Sequence, residues 1–271
     1  MTQILNPEIP AILYSRYSRK KMEGELFIRQ HVFDYIISGQ SEVFFETKCS
    51  RFDAGDFRFA IRNRLSKFTK YPPDGGEYKS ISICIDQKTL HEVKNELKIT
   101  SILSRKFDNV FRLKPNRAFG NYFDSLMPYL ENGAGISEHI VRIKVKEAVM
   151  VFLDANPELV HILFDFSEPG KIDLEAYMNK HYAFNGELEQ FAYLTGRSLS
   201  TFKRDFKKIF NTTPTKWLIQ KRLEDAHYLI NEQGLKASEA YLESGFKDYS
   251  HFSIAFKKAY GTAPSFMHRR S

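Results

Sequence analysis

The stretch SLSTFKRDFKKIFNTTP, residues 198–214, recurs as DYSHFSIAFKKAYGTAP, residues 248–264, at a constant offset of 50 residues and without a gap. Phe202, Phe206, Lys207, Lys208, Thr212 and Pro214 of the first copy match Phe252, Phe256, Lys257, Lys258, Thr262 and Pro264 of the second. One extra residue in the second copy then brings Gly196 into register with Gly245. An offset this regular marks a duplicated supersecondary unit.

Within the first copy, residues 187–195 have the spacing of a short helix. Gly196 supplies the positive φ of a tight turn, and Ser198 can cap the helix that follows. This is the order of a helix-turn-helix unit. On its second helix Phe202, Phe206, Ile209 and Phe210 fall on one apolar stripe, so Ser200, Arg204 and Lys207 face away. In the second copy Asp248 is the cap, Phe252, Phe256 and Tyr260 form the stripe, and Ser250, Ile254 and Lys257 face outward. Asn211 and Gly261 tolerate a left-handed conformation at the two helix ends, each with a proline three positions later. Between the copies, residues 214–230 carry Trp217, Leu218, Leu223, Ala226, Leu229 and Ile230 at helical spacing, which predicts one continuous helix of roughly 25 Å that spaces the two units.

The rest of the chain reads differently. From Ala11 to about Ile85, strand-like segments at residues 27–37, 41–47, 57–61 and 78–85 alternate with turns at Ser38-Gly39, residues 53–56 and residues 72–76. That rhythm predicts a barrel or double-sheet jelly roll. Helical spacing follows at residues 116–131, 137–154 and 157–166, and Ser167-Glu168-Pro169-Gly170 reads as a linker. The expected division is residues 1–108 as a sensor or partner-binding domain, 109–170 as a helical connector and 171–271 as the duplicated domain. Ile136, Ile140, Ile143 and Phe152 of the connector fit either a dimer seam or plain core packing.

At 271 residues the chain can bury two cores without disulfides or metals, and 42% hydrophobic with 27% charged residues is a globular balance. No apolar run is long enough to cross a bilayer, and MTQILNPEIP lacks the order of a secretory signal, so a cytoplasmic location is expected. The net charge of +7 is uneven: from Lys171 onward, 16 Lys and Arg face 11 Asp and Glu. That bias suits a polyanionic partner, although a solvated surface gives the same count. Cys49 and Cys84 read as buried reduced thiols.

From Asp173 to Arg270, the runs LEQFAYLTGRSLSTFKRDFKKIF, TPTKWLIQKRLEDAHYLI, ESGFKDYSHFSIAFKK and GTAPSFMHRR resemble the AraC/XylS class of transcription regulators over about a hundred residues. Residues 31–39 and Ala54-Gly55-Asp56 resemble, more briefly, the cupin-like arms fused to such regulators. The resemblance implies an α+β multidomain fold. It would comprise an N-terminal cupin-like β-barrel or jelly roll, a helical connector, and an all-α domain with two helix-turn-helix units. It departs from the family at Tyr241, where a small alanine usually packs, and at Ala240, where a larger aliphatic is usual. Its implied recognition helices are residues 198–210 and 248–260, with base-facing Ser200, Lys203 and Arg204, then Tyr249, Ser250 and Ser253. Ser198, Thr201, Lys207, Lys208, Lys247, His251, Lys257 and Lys258 complete the expected DNA-binding set, and the duplicated lysines favour phosphate contacts. The aromatic stripe is core and receives no DNA role.

Double-stranded promoter DNA and RNA polymerase are the implied partners, with a small-molecule effector or a regulatory protein at the N-terminal domain. The resemblance also favours a homodimer. A competing reading is a cupin-type metalloenzyme with an accessory DNA-binding domain. That chemistry needs several histidines and a carboxylate at close spacing, and the barrel region offers only His31. A methyl-accepting repair protein would need clustered cysteines that Cys49 and Cys84 do not supply. No enzyme, cofactor or metal is therefore expected. Arg58, Arg62, Arg64 and Lys67 could hold an anion, but their alternation predicts a solvated strand face.

Overall fold

A computed structural model describes residues 9–18, 21–45, 48–100, 108–131 and 135–267. The chain divides into two compact units, Met1–Ser167 and Glu168–Ser271.

Among the described residues, the first unit contains nine strands in two antiparallel sheets. Strands β1 (Ala11–Tyr17), β8 (Tyr78–Ile85), β3 (His31–Ser38), β6 (Phe57–Ala60) and β9 (Val110–Leu113) make the larger sheet in that spatial order. Strands β2 (Met22–Ile28), β7 (Arg64–Tyr71), β4 (Gln40–Phe45) and β5 (Lys48–Asp53) make the smaller one. The two sheets form an open sandwich rather than a closed barrel. The segment read as one strand over 27–37 is two, because the chain leaves the small sheet after Ile28 and enters the large one at His31.

Alternation along β3 explains the layering. Phe33 and Tyr35 point to one face, Val32, Asp34 and Ile36 to the other. The second face meets the small sheet, so that Ile36, Ala60, Tyr78 and Val110 share a cluster with Ile28, Val43, Phe45 and Phe52. The first face is covered by helices α1 (Gln87–Glu96), α2 (Arg117–Asp124), α3 (Met127–Glu131) and α4 (Glu138–Ala155), followed by a 3-10 turn at Pro157–Leu159 and the short α5 (Val160–Leu163). Phe33, Phe57, Phe59, Ile81, Ile83 and Ile85 of the sheet lie in one core with Leu90 and Val93, Phe119 and Phe123, and Val145, Val149 and Phe152 of these helices. The large sheet is thus covered on both sides, and all four residues of β6 and most of β8 are buried.

The helices expected as a connector share that core with the strands. Asp86, Asn116 and Ser137 cap α1, α2 and α4 with their side chains. The expected helix over 116–131 is interrupted between α2 and α3. Phe152 is fully buried and stacks on Phe33, so it is core and not seam, whereas Ile143 is 61% exposed.

Arg58 and Arg62 are not on a solvated face. The Arg58 Nε donates to Asp34 Oδ2 at 2.9 Å and its Nη1 to Ser41 Oγ at 3.0 Å, all three residues being buried. Arg62 is buried too, and its Nη2 donates to the carbonyls of Asp165 and Ser167 at 3.0 and 2.9 Å. Alternation misled because this strand pair lies inside a sandwich, where an arginine can replace an apolar residue if its charge and donors are matched. Cys84 is buried as expected but Cys49 is exposed, and both are free.

The second unit is all-helical: α6 (Leu174–His181), α7 (Leu188–Leu194), α8 (Leu199–Phe210), α9 (Pro214–Asn231), α10 (Ala237–Glu243), α11 (Tyr249–Tyr260) and α12 (Pro264–Met267). No helix among the described residues is long and apolar enough to cross a membrane.

Candidate nucleic-acid interface

Each copy of the repeat is a short helix, a glycine turn and a twelve-residue helix. In the first, Gln190 Oε1 accepts from the Glu187 N–H at 3.0 Å at the start of α7, and Ser198 Oγ accepts from the Thr201 N–H at 3.3 Å to start α8. In the second, the Glu239 carboxylate accepts from the Lys236 N–H at 3.2 Å at the start of α10, and Asp248 Oδ1 accepts from the His251 N–H at 2.7 Å to start α11. Both long helices stop at a left-handed residue, Asn211 with φ 53° and Gly261 with φ 77°. The continuous spacer expected between the copies is α9, whose 18 residues span about 27 Å.

The buried faces match the sequence stripe with one exception. Phe202, Phe206, Phe252 and Phe256 are fully buried, and Phe210 packs on Trp217. Ile209, at the flank of the stripe, is 41% exposed. Tyr241 fits where a smaller residue was expected: it is half-buried, and its ring meets Tyr249 edge-on at 5.3 Å and lies near Phe252, while Ala240 beside it in the chain is fully buried.

The opposite faces carry the candidate residues. On α8 and at its start, Ser198, Ser200, Lys203, Arg204, Lys207 and Lys208 are exposed and Thr201 is half-buried. Ser198 Oγ is occupied by its cap and donates to Thr201 Oγ1, leaving Ser200, Lys203 and Arg204 as the outermost groups. Arg204 touches Asp205 only loosely, at 3.6 Å, with most of its side chain in solvent. On and before α11, Lys247, Tyr249, Ser250, His251, Lys257 and Lys258 are exposed and Ser253 is half-buried. Lys247 pairs with Glu187 at 3.3 Å. At the position equivalent to Arg204, Ile254 is 71% exposed. Lys207, Lys208, Lys257 and Lys258 all occupy last turns, where cations also favour the helix dipole.

Sequence reasoning passed over Arg197. Its Nη1 donates to the carbonyls of Ile172 and Thr195 at 3.0 and 2.7 Å, and its Nε to Asp205 Oδ2 at 3.2 Å. The guanidinium holds the Asp205 carboxyl below its ordinary range. Arg197 therefore ties the turn to α8 and fixes the pose of the exposed face. Only its place directly after the turn glycine could have signalled this.

His31 is buried against Phe59, and its Nδ1 accepts from the Arg62 N–H at 3.3 Å. Among the described residues no three His, Cys, Asp or Glu side chains are grouped to hold a metal.

The second unit is thus defined as a double helix-turn-helix domain. Residues 191–270 match the helix-turn-helix domain family, and residues 31–162 match the ExsA N-terminal regulatory domain family. Both of these domain matches, in this order, fit the AraC/XylS type of regulators. It is 28% identical over 125 residues to the HTH-type transcriptional regulator ExsA of Pseudomonas aeruginosa, covering 45% of each protein. It is also 28% identical over 92 residues to the virulence regulon transcriptional activator VirF of Yersinia enterocolitica, covering 34% of each. The aligned region thus spans less than half the length of either relative. A crystal structure of ToxT from Vibrio cholerae is 14% identical, with 96% of this chain and 98% of that one covered at a TM-score of 0.42.

Proposed function

We propose that the chain is a sequence-specific DNA-binding transcription regulator acting in the cytoplasm. The observation that carries this reading is the duplication itself: two long helices with aromatic faces buried and basic, hydroxyl-rich faces exposed, joined by one unbroken helix. In this reading α8 and α11 enter two major-groove segments of one duplex about one helical turn apart. Ser200, Lys203 and Arg204, then Tyr249, Ser250 and Ser253, meet base edges. Ser198, Thr201, Lys207, Lys208, Lys247, His251, Lys257 and Lys258 line the approach to phosphates, which makes binding steeply salt-dependent.

The N-terminal unit is the sensor, for a small molecule or a regulatory protein, and its α4 offers Ile143 to a second copy. RNA polymerase is the partner on promoter DNA. No cofactor and no catalytic step belong to this reading. Sequencing the fragments retained by the purified full chain, then inserting half a helical turn between the two protected segments, is the test. Specific binding should fall sharply, and an unchanged affinity would mean that only one unit docks.

A further inference from the structure

The two turns of the helical unit are braced by different parts of the chain. The second, at Gly245, rests on the main chain of Ala183 in the loop between α6 and α7. Arg222 of α9 holds that loop, its Nε and Nη2 donating to the carbonyls of Tyr182 and Phe184, each at 2.8 Å. This brace is internal to the helical unit. The first turn, at Gly196, rests instead on the main chain of Gly170 and Lys171. Both lie in the irregular segment that runs from Glu168 to the start of α6 and follows directly on the N-terminal unit. Side chains hold the same segment. The Tyr193 hydroxyl of α7 donates to the Glu168 carboxylate, and Arg197 donates from Nη1 to the Ile172 carbonyl at 3.0 Å and from Nε to Asp205 of α8 at 3.2 Å.

The repeat diverges where the braces differ. With Gly196 in register with Gly245, Arg197 corresponds to Phe246, and at the offset of 50 residues Asp205 corresponds to Ala255. Phe246 is buried, its ring lies 5.1 Å from that of Phe252, and it shares a core with the partly buried Ala255. The second copy thus closes its turn with apolar packing. The first closes it with an arginine whose side chain is only 10% exposed and whose donors need a carbonyl from the incoming segment. A nearly buried guanidinium that loses an acceptor leaves a donor unmatched, so that acceptor has to be kept in place. Ile172 supplies it from the main chain, while its side chain is 44% exposed.

We propose that residues 168–172 are a strap that positions α8 and not α11, so that base reading by the first helix-turn-helix unit depends on the path of this segment and reading by the second does not. Arg197 is its positioning residue: it links the strap to Asp205 on α8 and stands outside the DNA-facing set. Hydrogen bonds to base edges need placement within about 0.5 Å, whereas a flexible lysine near a phosphate tolerates more. A loosened strap therefore costs the first unit discrimination before it costs affinity for DNA at large. The strap itself stands on contacts within the helical unit, and only its effect at bases rests on the proposed DNA reading.

The test follows amide hydrogen exchange in the full chain, together with its binding to single-base variants of a duplex that the parent protein selects from a random pool. In Arg197→Ala, exchange along α8 should speed by about threefold or more while that along α11 is unchanged. Discrimination between bases should fall by about fivefold or more in one of the two protected segments and hold in the other, with affinity for unrelated duplex unchanged. Arg197→Lys, which keeps the charge beside Asp205, should recover part of both effects, and Ile172→Ala, which keeps the carbonyl, should match the parent. Tyr193→Phe, which removes the link to Glu168, should loosen α8 in the same sense by a smaller factor, and it decides the matter if Arg197→Ala does not fold. Exchange that speeds equally in α8 and α11, or discrimination lost alike in both segments, would make these contacts general support of the unit and overturn the strap. Unchanged α8 exchange would overturn it too. A parent that selects no duplex, with exchange still faster in α8 alone, would keep the strap and end the DNA reading instead.

Discussion

Gly196 and Gly245 make the same turn in the two copies, and each is pressed against main chain. With φ of 65°, a Cβ on Gly196 would sit 2.3 Å from the carbonyl carbon of Gly170. With φ of 94°, one on Gly245 would sit 2.4 Å from the carbonyl oxygen of Ala183. Backbone, unlike a flexible side chain, cannot give way cheaply. The duplication thus preserved a close approach as well as a sequence pattern.

Gly196→Ala and Gly245→Ala should each destabilise the second unit by about 2 to 4 kcal/mol, combining left-handed strain with a backbone clash. The single tryptophan, Trp217, packs on Phe206 and Phe210, so its fluorescence during urea unfolding reads this unit. Gly261 faces open space, and its counterpart in the first copy is the left-handed Asn211. Gly261→Asn should therefore shift the transition by less than about 1 kcal/mol. A Gly196→Ala protein as stable as the parent would mean that the turn can relax.

The two long helices should read DNA unequally, because Arg204 in the first stands where Ile254 stands in the second. Arginine donates two hydrogen bonds to guanine, and isoleucine offers apolar contact to a thymine methyl. Arg204→Ala should cost about 1 to 3 kcal/mol on the specific site and relax preference at one base pair, with Ile254→Ala costing less. Lys207→Ala and Lys257→Ala should weaken all sequences alike and each lower the salt slope by about one. Binding to every single-base variant of the site at two salt concentrations separates these cases. An equal loss on all variants for Arg204→Ala would make it a phosphate clamp.

Breaking the Asp34–Arg58 pair from one side should be costly. Arg58→Met leaves a buried carboxylate unmatched, a loss of about 3 to 5 kcal/mol in the first unit. Adding Asp34→Asn to Arg58→Met should restore part of it. Denaturant titration followed by the strand signal in circular dichroism checks both. A double variant less stable than Arg58→Met alone would show that the carboxylate has another role.

Burial against Phe59, with Arg62 second, lowers the pKa of His31 to about 3, against about 6.5 in an unfolded chain. Between these values the unfolded state binds the extra proton, so stability is fully present above about pH 6.5 and is lost as pH falls toward 3. From pH 7 to pH 5 the first unit should lose about 2 kcal/mol through this group. His31→Asn keeps an acceptor for the Arg62 N–H but does not titrate, and should flatten the profile over that interval. A parallel loss in both proteins would assign the acid sensitivity elsewhere.

What could be read from the chain depended on whether its signals were local. Caps, turn glycines and the aromatic stripe are local, so α8, α9 and α11 and their ends were legible from Ser198, Asp248, Asn211 and Gly261. Strand β8 was legible in full because Tyr78 and Ile85 bound a clear run. The pairing of strands was not, since which sheet takes β2 or β3 is decided between residues far apart. For the same reason Arg58 looked like a surface residue: its partners Asp34 and Ser41 lie on other strands, and its alternation fits an outer face as well as an inner one. The exposed basic faces were visible as spacing, whereas the tether through Arg197 depends on a carbonyl 25 residues upstream.

A five-stranded sheet with helices on one face and a second sheet on the other also constrains how such a chain can be inherited. Recombination joining foreign sequence anywhere between Ile85 and Phe164 would strip the cover from Phe33, Phe57 and Phe59. Close to Ser167 and Glu168 the chain divides without splitting either core. New pairings of an N-terminal unit with a helix-turn-helix unit would therefore arise by exchange at that junction, with strands and covering helices passed on as a single block.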